Sequence, residues 1–144
     1  MKSFLVDINV WLSLSLDRHI HYADAHRWFS SVDPAGACFC RLTQLGFLRL
    51  LTNTKVMGKD VMSQLGAWRV YDRLCEDARV AYLPEPPAME SDLRALTRNR
   101  QPAQGVWTDA YLAALARTRG LTMVSFDRGF LRMEGVQAVI LPLV

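Results

Sequence analysis

Ser3-Phe4-Leu5-Val6-Asp7 near the start of the chain and Thr122-Met123-Val124-Ser125-Phe126-Asp127 near its end share one grammar. Each is a short apolar run that closes on an acid. The first reads as a buried strand, and Asp7-Ile8-Asn9-Val10-Trp11-Leu12 then opens a helix that runs to about Ser15. Outward from this pair, the chain alternates. A polar loop over 17–22 leads to a helix over 23–32 with an apolar stripe at Ala25, Trp28, Phe29 and Val32. The turn Asp33-Pro34-Ala35-Gly36 leads to a strand over 37–40 and a helix over 42–51, apolar at Leu42, Leu45, Leu48 and Leu51. A break at 57–60 precedes a helix over 61–77, a strand over 79–83 and a proline stop at Pro84, Pro86 and Pro87. A helix over 88–98, a polar connection over 99–105 and a helix over 106–118 capped by Gly120 complete the middle. The strand over 121–126 is followed by a short helix over 128–133 and a last strand over 136–141.

Strands alternating with helices predict an α/β fold, a three-layer sandwich with a mostly parallel, roughly five-stranded central sheet. Right-handed crossovers place helices on both faces. One domain over residues 1–144 is the default at this length. In such sheets ligands bind beyond the carboxyl ends of the strands, near a switch in strand order. Asp7 and Asp127 are placed there, and Trp107-Thr108-Asp109-Ala110-Tyr111 sets a third acid at the start of an Ala/Leu-rich helix. Each acid alone would serve as a cap or turn residue. Together they specify more, because carboxylates gathered at one edge repel one another and resist burial. A hard divalent cation, Mg²⁺ or Mn²⁺, resolves that conflict.

The formal charge is +3 and the isoelectric point near 9.0, carried mostly by arginine, since lysine occurs only at Lys2, Lys55 and Lys59. An acidic cluster in a basic, arginine-rich chain suits a polyanionic substrate: acids hold the metal and guanidinium groups hold the strand. Cys38, Cys40 and Cys75 lack metal-ligand spacing and read as reduced thiols of a cytoplasmic protein. No apolar run is long enough for a bilayer, and no secretory signal is visible. His19, His21 and His26 have no nucleophile elbow to serve, so a histidine mechanism is disfavoured. Trp28, Phe29, Phe47 and Trp68 follow helical spacing and read as core. Arg94, Arg98 and Arg100 read as a solvated helix face. Asn9, Thr43, Thr108 and Ser125 are neutral polar residues near the acids that could orient them.

These segments resemble a PIN domain, and specifically a VapC-like ribonuclease toxin of a type II toxin–antitoxin pair. The likeness is carried by residues 5–12, Thr43-Gln44-Leu45-Gly46-Phe47-Leu48-Arg49, residues 108–116 and Val124-Ser125-Phe126-Asp127-Arg128-Gly129-Phe130, in that order. The resemblance implies Mg²⁺-dependent RNA cleavage, a cognate VapB-like antitoxin and frequent homodimerisation. It maps the family's acids onto Asp7, Asp109 and Asp127. A further acid, usually a glutamate early in the third helix, falls on Gln44, which can orient a water but cannot act as a base. Two rivals stay open. An aspartyl phosphotransfer enzyme needs a second acid where Asn9 stands and a late lysine that is missing. A catalytically weakened RNA- or partner-binding module would bind without cutting, and Gln44 points that way.

Overall fold

The structure, a computed structural model, describes residues 2–99 and 101–143; Arg100 of the basic cluster lies outside them. Its strands are β1 (Phe4–Val6), β2 (Ala37–Phe39), β3 (Val80–Tyr82), β4 (Thr122–Ser125) and β5 (Gln137–Ile140). They form one all-parallel sheet in the order β3-β2-β1-β4-β5. The chain lays down β1, then moves outward through β2 to β3. It returns to the other side of β1 for β4 and β5. Strand order therefore reverses at β1, and the crevice beyond the carboxyl ends of β1 and β4 is the switch point where such sheets take ligands.

Seven helices flank the sheet among the described residues: α1 (Ile8–Ser15), α2 (Tyr22–Phe29), α3 (Arg41–Leu51), α4 (Thr54–Met57), α5 (Gln64–Cys75), α6 (Met89–Leu96) and α7 (Trp107–Arg119). Strand side chains alternate between two apolar clusters, as a period of two requires. Val6, Phe39 and Val124 pack with α1, α2, α3 and α5 on one face, around Trp11, Trp28, Phe47 and Tyr71. Leu5 and Met123 pack with α6 and α7 on the other, around Met89, Leu112, Leu115 and Phe130. A sheet covered on both faces explains why β1 and β4 are continuous apolar runs. The first cluster is centred on Trp11 stacked on Phe39, centroids 3.8 Å apart.

The helix ends follow local chemistry. Ser63 accepts from the Gly66 amide and starts α5, three residues later than the sequence pattern placed it. Gly120, at φ +67°, closes α7 in the left-handed region open to glycine. A short helix, α4, begins before the break expected at 57–60 and a 3₁₀ turn occupies Gly58–Asp60. α3 departs further from expectation. Its buried face is Thr43, Gln44, Gly46, Phe47 and Leu51; of the expected leucine stripe Leu51 is buried, Leu42 and Leu48 pack in part against the core, and Leu45 is 54% exposed. Trp28, Phe29 and Phe47 are core as expected, whereas Trp68 is 43% exposed. No helix among the described residues is long and apolar enough to cross a membrane.

Candidate active site

Asp7 stands one residue past β1 and caps α1: its Oδ1 accepts from the Ile8 amide at 2.8 Å. Its other oxygen, Oδ2, accepts a 2.7 Å hydrogen bond from the Ser125 hydroxyl at the end of β4. The same Ser125 oxygen accepts from the backbone N–H of Asp127 at 2.9 Å. Asp127 in turn caps the next 3₁₀ turn, its Oδ1 accepting from the Gly129 amide at 2.8 Å. Both cappings foreseen for these acids are present, and each leaves the carboxylate facing the crevice. Asp109 enters from the first turn of α7. Its carboxylate makes no hydrogen bond or salt bridge among the described residues.

These three acids line one cleft of about 270 Å³ with Ile8, Asn9, Arg49, Leu50, Ser125 and Phe126. That is smaller than a cleft that engulfs a whole small ligand. It suits a charged group presented by a larger molecule. Larger hollows, such as one of about 520 Å³ between residues 16–19 and 56–62, hold no such convergence from three segments.

The electrostatics are those of uncompensated anions. Burial raises the Asp7 carboxyl above its ordinary value; the hydrogen bonds from Ser125 and Ile8 pull it back, and the Asp127 charge pushes it up again. Burial likewise raises Asp109, with added repulsion from Asp7 and Asp127. No Lys or Arg among the described residues pairs with any of the three. An all-oxygen, all-anionic donor set fits Mg²⁺ or Mn²⁺. The carboxylates line the cleft without being drawn to a common point, since no group of three acidic, histidine or cysteine side chains among the described residues stands at ligating separation. Of the three, Asp109 alone has no hydrogen bond fixing its carboxylate among the described residues.

Gln44 is not brought to this cleft. It lies five residues from Arg49 on α3, which turns the two side chains about 140° apart. Gln44 is buried (6% exposed), accepts from Arg41 and lies against Tyr71. α3 delivers Arg49 and Leu50 to the cleft, and Gln44 faces Arg41 and Tyr71 instead. Arg49 was not singled out from the sequence; the signal was available in the helical phase of α3 once Gly46, rather than a leucine, is seen to face Ile8 of α1. Of the neutral residues, Asn9 and Ser125 line the cleft, while Thr43 is spent capping α3 through Cys40. The histidines serve structure. His26 Nε2 donates to the Leu14 carbonyl, His19 Nδ1 accepts from the His21 amide, and His21 stacks on Phe126.

Comparison with known proteins agrees with this geometry. The PIN domain family matches residues 4–136. Ribonuclease VapC41 of Mycobacterium tuberculosis is 37% identical over 138 residues, covering 92% of this chain and 94% of that protein. Among solved structures, the VapC20 toxin of Mycobacterium tuberculosis, described as cleaving the sarcin–ricin loop, superposes with a TM-score of 0.65 at 16% identity over 93% of this chain and 98% of that one. DNA-bound VapBC from Salmonella typhimurium gives 0.66 at 19% identity over 97% and 98%. Those two likenesses concern the fold; the family rests on the sequence matches. The chain belongs to the PIN-domain family, and within it to the VapC ribonucleases, the toxin halves of type II toxin–antitoxin pairs.

Proposed function

We propose that the carboxylate cleft is where this ribonuclease hydrolyses RNA phosphodiester bonds, with Asp7, Asp109 and Asp127 holding Mg²⁺, for which Mn²⁺ substitutes. The observation that carries the reading is the meeting of three acids, from segments remote in sequence, at the switch point of a parallel sheet. When bound, the cation supplies Lewis acidity toward the phosphate and lowers the pKa of water.

The chain's own residues do the rest. Ser125 fixes the Asp7 carboxylate and the Asp127 backbone in one mutual geometry. Asp7 is held on both oxygens, so it keeps its direction as charge arrives. Asp109, buried in part, repelled by its neighbours and without a hydrogen bond of its own among the described residues, is relieved by a cation and is able to orient the attacking water or accept its proton. Leu50, Ile8 and Phe126 give the cleft apolar walls that strengthen these interactions.

The RNA substrate, a VapB-like antitoxin and a homodimeric, cytoplasmic existence belong to the same proposal. They are supported by family membership and by the VapBC assembly of the Salmonella relative. Single-turnover cleavage of structured RNAs in Mg²⁺ tests the site. Asp7→Asn and Asp109→Asn each lower the rate at least about a hundredfold. Wild-type rates in both would remove the carboxylates from the chemistry. Mg²⁺-independent RNA binding without product would return the binding-module reading.

A further inference from the structure

Arg49 is a cation in a cleft of anions, and none of the interactions above uses it. It lines the same cleft as Asp7, Asp109 and Asp127, yet among the described residues its guanidinium makes no salt bridge and no hydrogen bond. It lies near the C-terminal end of α3, where a positive charge complements the helix dipole. That role asks only for charge near the helix end. It does not require a place in the wall of the carboxylate cleft.

Arg49 also lies where three depressions meet. One is the carboxylate cleft. A second runs along Thr52, Asn53, Thr54 and Lys55. The third lies between α3 and α5, lined by Leu48, Thr52, Gln64, Ala67 and Trp68. Trp68 is out of place in a core reading: its indole is half exposed and held edge-on against Tyr71, centroids 5.8 Å apart at 86°. An exposed, braced aromatic ring beside an unpaired guanidinium is the pairing that single-stranded nucleic acid requires, one for the base and one for the phosphate. Arginine suits the phosphate because its planar fork makes two parallel bonds at once.

Resting on the ribonuclease reading above, we propose that Arg49 grips the RNA phosphate next to the one held at the carboxylates. It turns the strand out of the cleft into the α3/α5 groove, where a base stacks on Trp68. A cleft too small for a nucleotide needs such an outer hold, because the strand on either side of the reacting phosphate has to run over the surface. The carboxylates act on the phosphate being cut. Arg49 acts on its neighbour and sets where the strand lies.

The test uses a short single-stranded RNA of mixed sequence. Its affinity is read by fluorescence anisotropy across a KCl series in the Asp7→Asn background, and turnover is measured in the otherwise wild-type chain. Arg49→Ala weakens binding roughly tenfold or more and reduces the salt slope by about one. In turnover it raises KM far more than it lowers kcat. Arg49→Lys recovers part of the affinity through charge alone, and Trp68→Ala loses roughly tenfold with an unchanged salt slope. Arg94→Ala, whose side chain pairs with Glu90 on an exposed face, changes neither. Unchanged affinity and slope in Arg49→Ala overturn the proposal. So does tighter Mn²⁺ binding with RNA binding intact, which would make Arg49 a counter-ion, or loss of binding to an acidic partner peptide alone. If Asp7→Asn itself cuts at the wild-type rate, the carboxylate reading fails instead, and the two failures are told apart.

Discussion

At the scale of single residues, the Ser125 hydroxyl is the joint of the site. It donates to one acid and accepts from the backbone of another, and it is fully buried while doing so. Asp109 has no comparable support, and its carboxyl is held above its ordinary value of 3.8 by burial and by the neighbouring acids. An acid raised in the folded state binds its proton more tightly there than in the unfolded chain. Its penalty is thus absent below pH 3.8 and complete above the folded-state value. In metal-free protein, stability from this group falls as pH rises through that window. Asp109→Asn should raise Tm at neutral pH and have no such effect below pH 3.8. Mn²⁺ should raise the wild-type Tm at neutral pH and do less for the variant. Thermal melts with and without Mn²⁺ at both pH values check this; equal Tm values at neutral pH would show that the charge is already relieved. Asp77 has the opposite sign: its hydrogen bond from Arg79 lowers it to about 2, so its contribution is present above pH 3.8 and lost only as pH falls toward 2. The three acids were legible in the sequence because an acid directly after a buried strand or at a helix start has its direction set by the backbone. Gln44 and Arg49 were not, because an α-helix assigns direction by phase, and the leucines that seemed to fix the phase of α3 are not all buried.

At the scale of elements, α1 and α3 are tied by a missing methyl group. A Cβ on Gly46 would fall on the Ile8 side chain, and Ile8 also lines the carboxylate cleft. Gly46→Ala should cost about 1–3 kcal/mol, as overpacking does, and should lower activity by pushing Ile8 toward Asp7. Adding Ile8→Val, which removes the outermost carbon, should return a large part of both. A double-mutant cycle of denaturation midpoints and cleavage rates measures this coupling, and strict additivity would deny that the two residues touch. All five strands begin and end within one residue of their sequence-based bounds, since apolar runs between turn residues leave little choice. β3, expected over 79–83, runs Val80–Tyr82, one residue shorter at each end, as β4 and β5 also are. α4 was invisible because four residues are too few to display a helical period.

At the scale of the whole molecule, the chain combines a net charge of +3 with a small anionic cleft, so on the proposed function polyanions are drawn to a surface whose reactive point repels them until a cation arrives. A toxin so built has to be silenced by cover rather than by distance. Its cognate antitoxin at saturation should abolish cleavage while leaving the melting curve of the toxin intact or raised. Full nuclease activity in that complex, read with the same structured RNAs, would argue for silencing by some other route. The layered architecture was legible from the order of the segments alone. How its helices divide between the two faces of the sheet was not, because apolar stripes say that a face is covered without saying by which neighbour.

The bond from Ser125 to Asp7 spans 118 positions of chain. A ribosome translating this message has therefore added more than a hundred residues after Asp7 before that aspartate can meet Ser125. On the proposed function, the nascent polypeptide is harmless to the machine making it until the fourth strand emerges, because only then can the carboxylate cleft form.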